Sequence, residues 1–182
     1  MSMWDRIKDS AKSRTGSRPG GLGGSGSRPG SGGGGGGGSQ LVSAFKNQLA
    51  SMKTELKSGG FRDASMAMCA LVAAADGTVD AAERQRVESL IVSNEVLQNF
   101  PADSLRQRFN KHVDQLVSNF PVGKGTVMQE IAKVQKKPME ARAVIQTGIV
   151  IAGADGYFSQ SEQQVIREVC ATLGISPTEF NL

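Results

Sequence analysis

A short sequence that occurs twice constrains the architecture of this chain more than any other feature. The first copy, AAADGTVDAAER, begins at Ala73, and the second, AGADGYFSQSEQ, begins at Ala152. Each has an Ala-Asp-Gly corner, then a small polar residue and a glutamate three positions later. The apolar positions on both sides also match, so that Val72 aligns with Ile151. We therefore predict an internal duplication of a helix–turn–helix unit, with two copies packed about a pseudo-two-fold axis.

The pattern of apolar residues predicts an all-α fold. Apolar residues recur at three- and four-residue steps through the body of the chain, and strand-like alternation is nowhere sustained. We predict a compact helical bundle of about seven helices. The first is expected over residues 41–56 and ends at Gly59-Gly60, and a break is expected over residues 121–125.

Composition and charge divide the 182 residues into three parts. Residues 1–14 form a short, basic, amphipathic head, and residues 15–39 form a Gly/Ser/Arg/Pro linker that is predicted to be disordered. Residues 40–182 form the helical domain. The formal net charge of +4 belongs to residues 1–40, so the domain itself is neutral. A neutral domain is a poor partner for duplex nucleic acid, and we expect no nucleic-acid binding.

The head carries apolar residues at helical spacing, among them Trp4 and Ile7. We predict that these two residues dock onto a partner or a membrane surface, although the head could equally fold back onto the domain. No apolar run reaches the length of a membrane span, and the head has no secretory signal. With two cysteines that are predicted to be buried and reduced, we expect a cytoplasmic protein, with peripheral contact at the inner face of the membrane as an open alternative.

The two corners have a purely structural explanation. A glycine after each aspartate supplies the positive φ that turns the chain. The small polar residue then caps the next helix, and the glutamate three positions later completes a capping box. The first box is formed by Asp80 and Glu83, and the second by Ser159 and Glu162.

A metal site is the alternative explanation of the corners. The pattern D-G-x-[VF]-[DS]-x-x-E is also the second half of an EF-hand calcium loop. The first half is missing, because its ligand positions would be Val72 and Ala74, so a complete EF-hand is excluded. If the two-fold axis brings the corners together, five carboxylates converge on one site for Ca²⁺ or Mg²⁺. They are Asp76, Asp80, Glu83, Asp155 and Glu162.

The sequence resembles the TerB family of tellurite-resistance proteins. The segments that carry the resemblance are MSMWDRIKDSAKS, MAMCALVAAADGTVDAAERQRV, VIQTGIVIAGADGYFSQSEQQVIREV and LGISPTEFNL. The resemblance implies a cytoplasmic helical protein that acts with an integral-membrane TerC-type protein and calcium-binding TerD-type proteins. It also implies metal chelation by the acidic residues of the corners. The long glycine-rich stretch departs from the family pattern, and so does Ser159, which stands where a carboxylate would strengthen the second half-site.

Three functions are consistent with these features. The first is a non-enzymatic, metal-responsive helical adaptor of the TerB type, and the second is a structural interaction scaffold whose corners serve only as caps. The third is a redox enzyme that reduces tellurite through Cys69 and Cys170. One histidine and two distant cysteines form no zinc site and suggest no Cys-His dyad, so we expect no enzymatic activity.

Overall fold

The computed structural model describes residues 37–154 and 158–182, and over these residues all of its regular secondary structure is helical. The all-α prediction is therefore confirmed. The seven α-helices of this part of the chain are α1 (Gly37–Ser51), α2 (Gly59–Ala73), α3 (Ala81–Ser93), α4 (Ala102–Ser118), α5 (Phe120–Ala132), α6 (Pro138–Ala152) and α7 (Gln160–Leu173). Two short 3₁₀ helices span Leu97–Asn99 and Pro177–Phe180. The predicted head, with Trp4 and Ile7, lies outside the described residues.

Helices α2 and α6 form the centre of the bundle. Residues 64–72 of α2 and residues 143–152 of α6 are buried without interruption. A helix that is apolar on all sides belongs in the middle of a core, where its neighbours cover it completely. The two helices pack on each other at Gly148, where an added Cβ would overlap the side chain of Met68. The helix that precedes each Ala-Asp-Gly corner is thus a central helix, and the pseudo-two-fold duplication stays a prediction.

The remaining helices surround this pair. Helix α1 packs on α6, helices α4 and α5 pack on α2 and on each other, and α7 packs on α5 and α6. Helix α3 packs on α4 and also contacts α2 and α6, while α7 contacts α2. The second helix of each repeat therefore touches the central helix of the other. The C-terminal segment closes the bundle, because the rings of Phe45 and Phe180 meet edge to face at 5.8 Å.

Two predicted helix boundaries were wrong. Helix α1 ends at Ser51, and the turn that follows is held by Asn99, whose Nδ2 donates to the Lys53 carbonyl at 2.7 Å. The expected break over residues 121–125 is instead the first turn of α5, and the chain breaks at Asn119. Pro121 has no N–H, and this is tolerated in the first turn of a helix, where N–H groups have no partner within the helix. The Asn119 side chain accepts from the N–H of Val122.

None of the described helices combines the length and apolar character that a membrane crossing requires.

Candidate functional site at the paired corners

The two predicted capping boxes are both formed. Asp80 accepts from the N–H of Glu83 at 2.8 Å, and Glu83 Oε2 accepts from the N–H of Asp80 at 3.2 Å. In the second repeat, Ser159 Oγ accepts from the N–H of Glu162 at 3.1 Å, and Glu162 Oε2 accepts from the N–H of Ser159 at 3.2 Å. The boxes fix the first turns of α3 and α7 and orient both glutamates in the same way.

Loss of the second cap is expected to destabilise the domain modestly. In a Ser159→Ala variant the N–H of Glu162 loses its acceptor, which costs about 1 kcal/mol in the free energy of unfolding. Ser161→Ala, two residues further along the same helix, is the matched control and should change this free energy by less than about 0.5 kcal/mol. Urea denaturation measures both variants, and equal losses would show that Ser159 does not act as a cap.

The orientation set by the boxes brings Glu83 and Glu162 to one small cavity between the two repeats. The cavity measures about 10 Å³, roughly the space of one water-sized sphere. Both glutamates are buried, with exposed fractions of 6% and 2%. The other lining residues are Val72, Ala73, Val87, Ile151 and Ala152. Equivalent positions of the two repeats thus supply the cavity's two acidic residues and most of its apolar wall.

The other predicted ligands are placed differently. Asp76 is exposed, and its Oδ1 accepts from the N–H of Thr78 at 3.1 Å, two residues along the same turn. Asp80 is also exposed and holds its cap, and neither aspartate lines the cavity. Asp155 lies outside the described residues. Gly77 has the positive φ, 88°, that the turn requires.

The donor set of the cavity suits a hard cation better than any other metal. Glu83 and Glu162 offer carboxylate oxygens, and Ca²⁺ and Mg²⁺ prefer oxygen ligands. Within residues 37–154 and 158–182, no group of three or more His, Cys, Asp or Glu side chains is arranged to hold a metal ion. The described residues therefore supply two carboxylates to such a site.

The two cysteines are free and fully buried. Burial raises the pKa of Cys69 to about 12 and that of Cys170 to about 11, because the protein interior does not solvate a thiolate. The thiolate is the reactive form of cysteine, so both side chains are chemically quiet at neutral pH. The prediction that both are buried is confirmed.

A second polar region, which the sequence did not reveal, lies between α2, α4 and α5. It is a cleft of about 370 Å³. Its lining residues are Asp63, Gln107, Arg108, Lys111, His112, Glu130 and Lys133. The spacing of Arg108, Lys111 and His112 places them on one face of α4, and this was the available signal. Asp63 on α2, and Glu130 and Lys133 near the end of α5, are distant from these residues in sequence. The sequence alone therefore could not assign them to the same cleft.

Two comparisons with known proteins find similarity to the same family. Residues 62–182 match the family model described as tellurite resistance protein TerB. The chain is also similar to a tellurium resistance protein TerB of Alcaligenes sp, with 27% identity over 104 residues. That alignment covers 57% of this chain and 85% of the other protein. No solved structure matches the chain. The family match spans both corners and the cleft.

Proposed function

This chain belongs to the TerB family of tellurite resistance proteins, and we propose that it works as a non-enzymatic helical adaptor with a cation-responsive joint. The joint is the carboxylate pair of Glu83 and Glu162, and its ligand is Ca²⁺ or Mg²⁺. A cation held by both side chains links the first turn of α3 to the first turn of α7. It thereby fixes how the two helix–turn–helix units are placed against each other.

The observation that supports this proposal is the shared cavity. The two glutamates come from opposite repeats, are buried, and line one space that admits about one water-sized sphere. Two carboxylates of like charge favour a divalent cation between them. A ligand changes the arrangement of a protein only when it binds one arrangement better. A cation that needs both carboxylates favours the arrangement in which α3 and α7 lie close together.

Three further features belong to the proposal. The buried thiols support a role without catalysis, since neither Cys69 nor Cys170 is available as a nucleophile. The partners are the TerC-type membrane protein and the TerD-type calcium-binding proteins that the family resemblance implies. The protein would meet them in the cytoplasm, with Trp4 and Ile7 of the head as a docking element for a partner or the inner face of the membrane.

A structural scaffold without a metal site is the second candidate. It is favoured by the capping boxes, because both are complete without any ion. In this alternative Glu83 and Glu162 act only by completing the capping boxes of their own helices. The cation-responsive joint requires the negative charge of both glutamates, whereas the scaffold requires only their capping hydrogen bonds.

Thermal unfolding with and without divalent cations separates the two candidates. In 5 mM Ca²⁺ or Mg²⁺ we expect the unfolding midpoint of the wild-type protein to rise by about 3–6 °C, as for a ligand that binds the folded state at submillimolar affinity. Glu83→Gln/Glu162→Gln should abolish the rise, because glutamine keeps the capping geometry but removes the charge.

The control for this experiment removes the same charge elsewhere. Glu55 and Glu95 are exposed, and neither forms a salt bridge with a described residue. Glu55→Gln/Glu95→Gln should therefore keep the full cation response. If neither cation changed the unfolding midpoint of the wild-type protein, this result would contradict the cation-responsive joint and favour the structural scaffold.

A further inference from the structure

The cleft between α2, α4 and α5 has an excess of positive charge that its own carboxylates do not balance. Asp63 is held by Arg108 at 2.6 Å and by Arg62 at 3.0 Å, and Glu130 is held by Lys133 at 2.8 Å. Both carboxylates of the cleft are therefore engaged by cations. Lys111 makes no salt bridge or hydrogen bond to the residues that the structure describes, and it is exposed at the cleft.

A buried imidazole lies in the same wall. His112 is 94% buried, and its Nδ1 makes no hydrogen bond. Gln115 lies one turn further along α4, close enough to influence the ring, yet its buried Oε1 also lacks a hydrogen-bond partner. A proton on Nδ1 makes that atom a donor, which the acceptor Oε1 of Gln115 requires. The neutral ring carries a proton on only one of its two nitrogens, whereas the protonated ring donates from both.

We propose that this cleft binds a small oxyanion, with Lys111 as its main cationic contact and His112 as a group whose protonation accompanies binding. The volume of about 370 Å³ suits a small ligand and its water rather than a macromolecule. Arg108 and Lys133 line the same cleft, so an anion there meets Lys111 and two further cations that are already paired with carboxylates. This site is separate from the carboxylate pair and does not depend on the cation-responsive joint.

The charged groups around His112 define how pH affects binding. Arg108 and Lys111 lie on the same helix, Asp63 faces it from α2, and Glu130 and Lys133 face it from α5 and its end. Burial lowers the pKa of His112 from its ordinary 6.5, against the opposing effect of Glu130. A bound anion stabilises the imidazolium and raises this pKa. By linkage, the anion binds more tightly as the pH falls through the pKa of His112.

The single histidine of the chain makes the test direct, because its two ring C–H resonances are the only histidine signals of this kind in the NMR spectrum of the untagged, full-length protein, and they report on this cleft. Sodium sulfate and sodium tellurite are titrated separately at pH 6.0 and 7.5, against sodium chloride of equal ionic strength. We expect a saturable shift of the His112 resonance with an oxyanion but not with chloride. The affinity should be higher at pH 6.0.

Two lysine variants distinguish a site from general screening. Lys111→Gln should weaken oxyanion binding about five- to tenfold. Lys136→Gln removes the same charge from an exposed lysine that does not line the cleft, and it should bind like the wild-type protein. Saturation by either oxyanion that is weakened only in Lys111→Gln supports the site. A shift that never saturates, that chloride reproduces, or that the two variants share equally would overturn it.

Discussion

Cys69 in the native protein is expected to react with iodoacetamide about a thousandfold more slowly than the same thiol in the unfolded chain. The thiolate is the nucleophile, and burial raises the pKa of Cys69 to about 12 from an ordinary 9.0. At pH 8 this leaves about a thousandth of the usual thiolate. The same argument gives a factor of about one hundred for Cys170, whose pKa burial raises to about 11.

Intact-mass measurement of alkylation at pH 8, with and without denaturant, gives both rates. The matched control is Ala171→Cys, which places a thiol at an exposed position of α7 next to Cys170. This thiol should react in the native protein nearly as fast as in the unfolded chain. If Cys69 or Cys170 reacted at the rate of the control, the redox alternative would regain its chemical basis and the non-enzymatic proposal would lose support.

Replacement of Gly123 by alanine is expected to lower the free energy of unfolding by about 1–3 kcal/mol. An added Cβ at this position would lie 2.7 Å from the carbonyl oxygen of Gln115 and 2.8 Å from the Cα of Leu116. Both are backbone atoms of α4, and Leu116 is fully buried, so α4 cannot move aside without disturbing the core. Relief of the clash therefore requires α5 to shift.

Gly125 is the control for this prediction, because it lies in the same helix but has no atom within 4 Å of an added Cβ. Gly125→Ala should stabilise the protein by up to about 1 kcal/mol, since alanine favours helix more than glycine. Chemical denaturation compares the two variants. If Gly123→Ala were as stable as Gly125→Ala, α4 and α5 would not be in close contact at Gly123.

Features that depend on a few neighbouring residues could be predicted from the sequence. The capping boxes are an example, because each involves residues only three positions apart, Asp80 with Glu83 and Ser159 with Glu162. Gly174 is another, since it ends α7 in the left-handed conformation that glycine adopts freely. Local geometry and local chemistry are sufficient in these cases.

Features that depend on a partner helix could not be predicted in this way. Gly123 suggested a break, whereas it permits close contact with a helix whose position the sequence does not specify. Met52 and Leu56 continue the apolar pattern of α1, but the chain turns over residues 52–55 and Asn99 binds the Lys53 carbonyl. In both places tertiary contact decided the local structure.

The candidate sites show the same distinction. The repeat suggested that five carboxylates converge if a two-fold axis brings the corners together; of these, Glu83 and Glu162 line one cavity, whereas Asp76 and Asp80 do not. The same symmetry argument did not reveal that Asp76 bonds within its own turn, which is a matter of side-chain geometry. The cleft around His112 combines α2 with α4 and α5, two helices that lie outside the repeat, so the repeat pattern did not indicate it.

Paramagnetic broadening by Mn²⁺ tests the cation-responsive joint most directly. Mn²⁺ prefers oxygen ligands as Ca²⁺ and Mg²⁺ do, and it broadens the amide resonances nearest to it. At substoichiometric Mn²⁺ we predict equal broadening of residues 80–83 and residues 159–162, reversed by excess Mg²⁺ and absent in Glu83→Gln/Glu162→Gln. Broadening confined to the exposed turn of Asp76, or unchanged in the double variant, would contradict a shared site between the two repeats.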